Sequence, residues 1–297
     1  MRFERVETED GLRLDGARVD PATRSLGSPA RWSAHAGFLF VHGTGSNFYH
    51  AGVLQRFAER VAENGGTAWR VNTRGHDGMS TIPGRNGAVL GGSAFENIAD
   101  CRFDLRAWTT HAVRETQRPI VLVGHSMGAV KSIYYAAREQ PAAVAAIIAL
   151  SPPRFCHAHW QRHRQAEGFR EAWTRATALV AEGNDDALIS VTQPVPFVTT
   201  AASFVAKYGP HDEYDIVRLL PEVRCPVHLL VGSRSAAASP AFDGLVNELQ
   251  RIQDRVPGLA VSTIEGANTG YAGKEDVAFD PSAAWLEVRL KIVLLNP

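Results

Sequence analysis

Cysteine is scarce in this chain: Cys101, Cys156 and Cys225 are the only three, an odd number at scattered positions. No disulfide framework can be drawn from them, and a reduced, cytoplasmic setting is expected. An excess of one charge is also missing. With 31 basic and 31 acidic residues the formal net charge is zero, so binding to nucleic acid or to an anionic membrane is not expected. Long apolar runs are absent. The longest, Ala142 to Leu150, is far short of a membrane span, and Met1-Arg2-Phe3-Glu4-Arg5 leads into no apolar signal segment. No repeat or low-complexity tract occurs. Histidine is unevenly spread, with none after His228.

What is present is a chain of 297 residues, 45% hydrophobic, enough for one full α/β core. Arg2 to Ala17 reads as a hairpin turned at Glu9-Asp10-Gly11, and Arg18 to His35 as a polar connection. A buried strand at 37–41 precedes a helix at 52–64 ended by Gly65-Gly66. Thr67 to Asn72 is the next strand, and 73–93 reads as one long glycine-rich loop. Ile98, Cys101, Leu105, Trp108 and Ala112 mark an amphipathic helix. Val144 to Leu150 is a buried parallel strand. Residues 153–220 interrupt the alternation, basic and histidine-rich at first, then broken at Gln193-Pro194-Val195-Pro196. It resumes at Cys225-Pro226-Val227, with a helix at 241–255, a strand at 259–264 and a last helix started by Asp280-Pro281 as N-cap and first residue.

Ile120-Val121-Leu122-Val123-Gly124-His125-Ser126-Met127-Gly128 carries the chemistry. A strand running into G-x-S-x-G and then a helix is a nucleophile elbow: backbones approach too closely for Cβ atoms at 124 and 128, and Ser126 sits at the tip. His42-Gly43-Thr44-Gly45 follows a buried strand run, and Arg70-Val71-Asn72-Thr73-Arg74-Gly75-His76-Asp77-Gly78 follows the next strand.

On these three motifs the chain resembles the α/β-hydrolase fold family. The resemblance implies a mostly parallel eight-stranded sheet flanked by helices, with residues 1–152 and 221–297 as core and 153–220 as a helical cap. It implies oxyanion-hole N–H groups at Thr44 and Met127, and Ser126 as nucleophile or hydrogen-bond donor. It also exposes a departure. Where the family places its triad acid, in Val227-His228-Leu229-Leu230-Val231-Gly232-Ser233-Arg234-Ser235, stands Ser235. Where it places its histidine, in Glu265-Gly266-Ala267-Asn268-Thr269, stands Thr269.

A serine hydroxyl is a poor nucleophile until a base takes its proton, and losing triad members costs on the order of 10⁴ to 10⁶ in rate. His76 and His211 are candidate substitutes, against the plainer reading of loop or surface histidines. His125 is expected to pack away from substrate, and Asp243 to stand near the acid slot without a histidine to orient. Cys156, His159 and His163 share a helical face, but with Arg154, Arg162 and Arg164 beside them and no carboxylate a zinc site is not expected. Neither metal nor cofactor is expected.

The functional expectation is an enzyme acting on a small or medium carbonyl compound, an ester, thioester or lactone, by acyl transfer, cyclisation, condensation or elimination in biosynthesis. The alternatives are a non-catalytic ligand- or partner-binding protein and a serine esterase with a surrogate base. Oligomeric state stays open.

Overall fold

The computed structural model describes residues 1–21, 35–193 and 195–295, with side chains as far as residue 290. Most of the expected connection before His35, and Pro194 of the insertion, lie outside the described residues.

The chain opens with a hairpin, β1 (Arg2–Glu7) and β2 (Arg13–Val19), turned at Gly11 with φ 90°. Then follow β3 (Gly37–Val41), α1 (Val53–Glu63) and β4 (Thr67–Val71). The stretch expected as one loop contains a small hairpin, β5 (Ser80–Ile82) and β6 (Val89–Gly91). Its alternating signal was hidden by glycines that serve its bends. α2 (Cys101–Thr116), β7 (Ile120–His125), α3 (Met127–Glu139) and β8 (Val144–Leu150) complete the first half.

The insertion carries α4 (His157–Arg162), α5 (Glu167–Ala181), β9 (Leu188–Val191), β10 (Phe197–Thr200), α6 (Ala201–Tyr208) and α7 (Ile216–Leu219). The expected helical cap thus also holds an antiparallel hairpin, because the residues flanking Pro194 alternate between buried and exposed, as in Leu188–Val191.

β11 (Val227–Gly232), α8 (Ser233–Ala238), α9 (Leu245–Gln253), β12 (Leu259–Ile264) and α10 (Glu275–Leu295) finish the chain. Two helix boundaries differ from expectation. The helix expected over 241–255 begins at Leu245, since Phe242 closes a turn onto Ser239 O and Gly244 at φ 69° supplies the entry. The last helix begins at Glu275 and holds Pro281 inside it. Proline forfeits one hydrogen bond there, but burial of Ala278 and Phe279 just before it, with Phe279 edge-on to Phe57 at 5.1 Å, keeps the earlier residues helical.

The eight-stranded sheet runs β1-β2-β4-β3-β7-β8-β11-β12, antiparallel at β1/β2/β4 and parallel beyond. Successive side chains face opposite ways, so each strand feeds two cores. Leu39, Val41 and Leu122 join the layer with α2, α3 and the insertion. Phe38, Phe40 and Val123 join the layer with α1 and α10. β3 and β7 are paired, Val41 opposite Gly124, so the loops leaving their carboxyl ends meet at mid-sheet, where ligands bind in such folds.

Candidate functional site

Ser126 joins β7 to α3 at φ 53° and ψ −120°, a conformation that strains any residue with a Cβ. The glycines around it are demanded by sterics: a Cβ on Gly124 would collide with the backbone of Gly128 and Ala129, and one on Gly128 with the carbonyl oxygens of Val41 and His42. Among the described residues Ser126 Oγ has no hydrogen-bond partner. It borders a cavity of about 550 Å³ shared with Thr44, His50, His125, Gly270 and Glu275, and with Val195 and Pro196 from the insertion.

The loop from His42 to Gly45 is locked from behind. His42 Nδ1–H donates to Gly43 O at 2.9 Å and Ser46 N–H donates to the same oxygen at 3.2 Å. A trans peptide holds C=O and the following N–H antiparallel, so fixing the Gly43 carbonyl on one side turns Thr44 N–H to the other. On its far side His42 Nε2 accepts from Thr73 N–H at 3.1 Å, and Lys131 Nζ donates to Thr73 Oγ1 at 3.0 Å. Lys131 in turn pairs with Glu96, both side chains 1% exposed. Burial, with Lys131 nearby, pushes His42 down to about 3, so this ring is a neutral strut and no base. Met127 is the first residue of α3, and its N–H lacks a carbonyl four residues back in the helix.

Ser235 and Thr269 are brought together, Oγ to Oγ1 at 2.9 Å. The Thr269 carbonyl accepts from His125 Nε2–H at 2.8 Å, and burial lowers the pKa of His125. His125 lines the cavity, where packing away had been expected. His76 and His211 are absent from the cavity wall. His76 Nδ1–H donates to Asp77 at 2.8 Å, and Asp77 also accepts from Asn47 at 2.7 Å. His211 is exposed, its carbonyl taken by Arg218 at 3.0 Å. Asp243 faces His163 Nε2 at 3.2 Å in the insertion, while His159 Nε2–H donates to Pro240 O at 2.8 Å.

Four residues escaped the sequence reading: His50, Glu275, Lys131 and Glu96. Lys131 carried a signal, the single charged residue in the run Ala129 to Ala137. His50 and Glu275 carried none, since only the packing of α1 beside α10 puts them on one cavity.

Solved structures share this architecture end to end. Est1E from Butyrivibrio proteoclasticus, solved with ferulic acid bound, is 15% identical, with 97% of this chain and 99% of that one covered and a TM-score of 0.65. The α/β hydrolase GrgF from Penicillium sp. sh18 is 13% identical over 98% and 99% of the chains, TM-score 0.67. DcsB in complex with its substrate analogue is 14% identical over 97% and 99%, TM-score 0.66. At such identities these likenesses speak for the fold alone. No curated protein matches the sequence. The sequence model of the serine aminopeptidase S33 family matches residues 33–210, more than half of the chain and a span that holds the oxyanion loop, the elbow and most of the insertion. The strained serine and the braced loop both lie within that span, and the chain belongs to the serine aminopeptidase S33 family of α/β-hydrolases.

Proposed function

We propose that the protein is an enzyme that binds a small or medium carbonyl compound, an ester, thioester or lactone, in the cavity over Ser126. The reaction is acyl transfer, cyclisation, condensation or elimination in preference to ordinary hydrolysis. The observation that carries this reading is the strained Ser126, set beside the Thr44 loop with no base on its Oγ among the described residues. Three donors, Thr44 N–H, Met127 N–H and Ser126 Oγ–H, then hold the carbonyl oxygen as it gains charge, each contributing about 3 kcal/mol where such a hole is preorganised. Est1E, of the same fold, was solved with ferulic acid bound, which supports a small carbonyl ligand.

The test is Ser126→Ala assayed on a panel of short acyl thioesters and lactones, with mass spectrometry for an acyl adduct. Loss of a hydrogen bond predicts a fall of about 10-fold to 10³-fold with no adduct on the wild type. Abolition together with a trapped Ser126 adduct would overturn the hydrogen-bonding role. Tight binding with no turnover of any panel member would instead favour a ligand-binding protein, the second reading that the unpartnered Oγ allows.

A further inference from the structure

The cavity over Ser126 holds two ionisable side chains that the family resemblance does not provide for, His50 and Glu275. They come from elements that pack side by side. His50 ends the oxyanion loop just ahead of α1, and Glu275 is the first residue of α10. Arg56 of α1 donates to Asp276 at 2.9 Å, and Arg60 donates to Asp276 at 2.7 Å and to Asp280 at 3.1 Å. These ion pairs bring the two helix starts together. They also occupy Asp276, while Glu275 beside it makes no ion pair among the described residues.

The His50 backbone is held on purpose. The guanidinium of the buried Arg70 donates to its carbonyl oxygen. Two residues on, Gly52 adopts φ 152° and ψ −160°, a region that essentially only glycine occupies, and a Cβ there would lie 3.8 Å from His50 Nε2. The loop thus folds back so that the imidazole borders the cavity. A charge on His50 is also felt by His125, the neighbour of Ser126. His125 itself has its Nε2–H committed to the Thr269 carbonyl.

We propose that His50 is the proton acceptor of this site and works on the substrate, not on Ser126. This rests on the carbonyl-binding reading above. The substrate class is an activated acyl compound met by a hydroxyl, thiol or amine nucleophile, its own or a second molecule's. As the nucleophile attacks the carbonyl carbon, its proton passes to the His50 imidazole and the carbonyl π pair moves to an oxyanion held by Thr44 N–H, Met127 N–H and Ser126 Oγ–H. Collapse of the oxyanion breaks the bond to the leaving group, which takes the proton back from the imidazolium. No oxidant or cofactor is consumed.

A base can be tested without the native substrate by the ring opening of 5-nitrobenzisoxazole, in which a base takes the C–H proton and the N–O bond breaks to a coloured phenolate. Wild type is expected to catalyse it, and His50→Ala to lose about 10²-fold or more. Added imidazole should restore His50→Ala in part, and the pH dependence of the wild type should vanish in that variant. Glu275 and His125 share the cavity wall with His50, and Arg70 donates to its carbonyl oxygen, so Glu275→Gln and His125→Gln are measured alongside to separate their effect on the profile from that of His50. His50→Asn gives a second variant should the alanine form fold poorly. A His50→Ala rate equal to wild type, an inactive wild type, or a loss confined to Glu275→Gln would overturn the assignment. Failure here with Ser126-dependent acyl chemistry intact removes His50 alone, whereas His50-dependent ring opening without carbonyl chemistry removes the proposed function alone.

Discussion

Ser235 Oγ and Thr269 Oγ1 lie 2.9 Å apart, so α8, which follows β11 directly, and the loop leaving the paired strand β12 meet through two hydroxyls. These are the positions at which the resemblance expects a carboxylate and an imidazole. Two hydroxyls hold each other but take no proton from a serine near neutral pH.

Restoration follows from that spacing. Activated short-chain esters should be hydrolysed about 10⁴-fold or more below an intact triad. The double change Ser235→Asp with Thr269→His should raise that rate, while either change alone does little, because triad members act as a unit. The His125 bond to the Thr269 carbonyl is to backbone and survives the change. Steady-state kinetics on a p-nitrophenyl ester decides it: a fast wild type, or a folded double variant that stays inert, would contradict the expectation.

Strain at the elbow has a stability signature. Ser126 sits at φ 53°, and such backbone strain costs about 1 to 3 kcal/mol, part of which glycine relieves. Ser126→Gly is therefore expected to unfold at higher urea than Ser126→Ala, by about 1 kcal/mol. Equal midpoints for the two would mean an unstrained elbow.

Glu96 stands between two buried ammonium groups. Lys131 pairs with it directly, and Lys207 of α6 interacts with it at longer range, with its Nζ lacking a hydrogen-bond partner. Glu96→Gln should therefore destabilise by roughly 3 to 5 kcal/mol, the usual cost of breaking a buried pair. Chemical denaturation of the variant measures this, and a change under about 1 kcal/mol would contradict the pairing.

Lys207 should act in the opposite sense. Burial brings its pKa down to about 8, with Lys131 adding and Glu96 opposing. Between that value and the unfolded value of about 10.4 the unfolded chain binds more protons, so this group's contribution to stability rises with pH across that window, and below it the full burial penalty stands. Lys207→Met is thus expected to stabilise by about 1 to 3 kcal/mol near pH 7, and by less near pH 10. Paired urea titrations at the two pH values are the check; a gain that grows with pH would reverse the sign.

The relay behind the Thr44 loop is open to the same treatment. Thr73 Oγ1 accepts from Lys131 at 3.0 Å and lies 3.2 Å from His42 Nε2. Thr73→Val leaves a buried ammonium short of an acceptor, a loss of about 1 to 3 kcal/mol. Slow ester hydrolysis should fall together with stability. A variant that loses stability but keeps full residual activity would separate the relay from the Thr44 donor.

The elbow and the strand pattern of a mostly parallel sheet were legible in the residues alone, because each is signalled by a local device. Gly124 and Gly128 flank Ser126 within one turn, and buried parallel strands are near-continuous apolar runs such as Val144 to Leu150. The helix start at Glu275 was not legible, since local signals favoured Asp280-Pro281 and only Phe279 packing on Phe57 overrides them. Nor were the meeting of Ser235 with Thr269, the buried Glu96 between Lys131 and Lys207, or the sharing of one cavity by His50 and Glu275. Those partners lie 34 to 225 residues apart. Hydrogen bonds, ion pairs and a common cavity act over a few ångströms of space, and residues so far apart in sequence meet only after the sheet has assembled and its helices have packed.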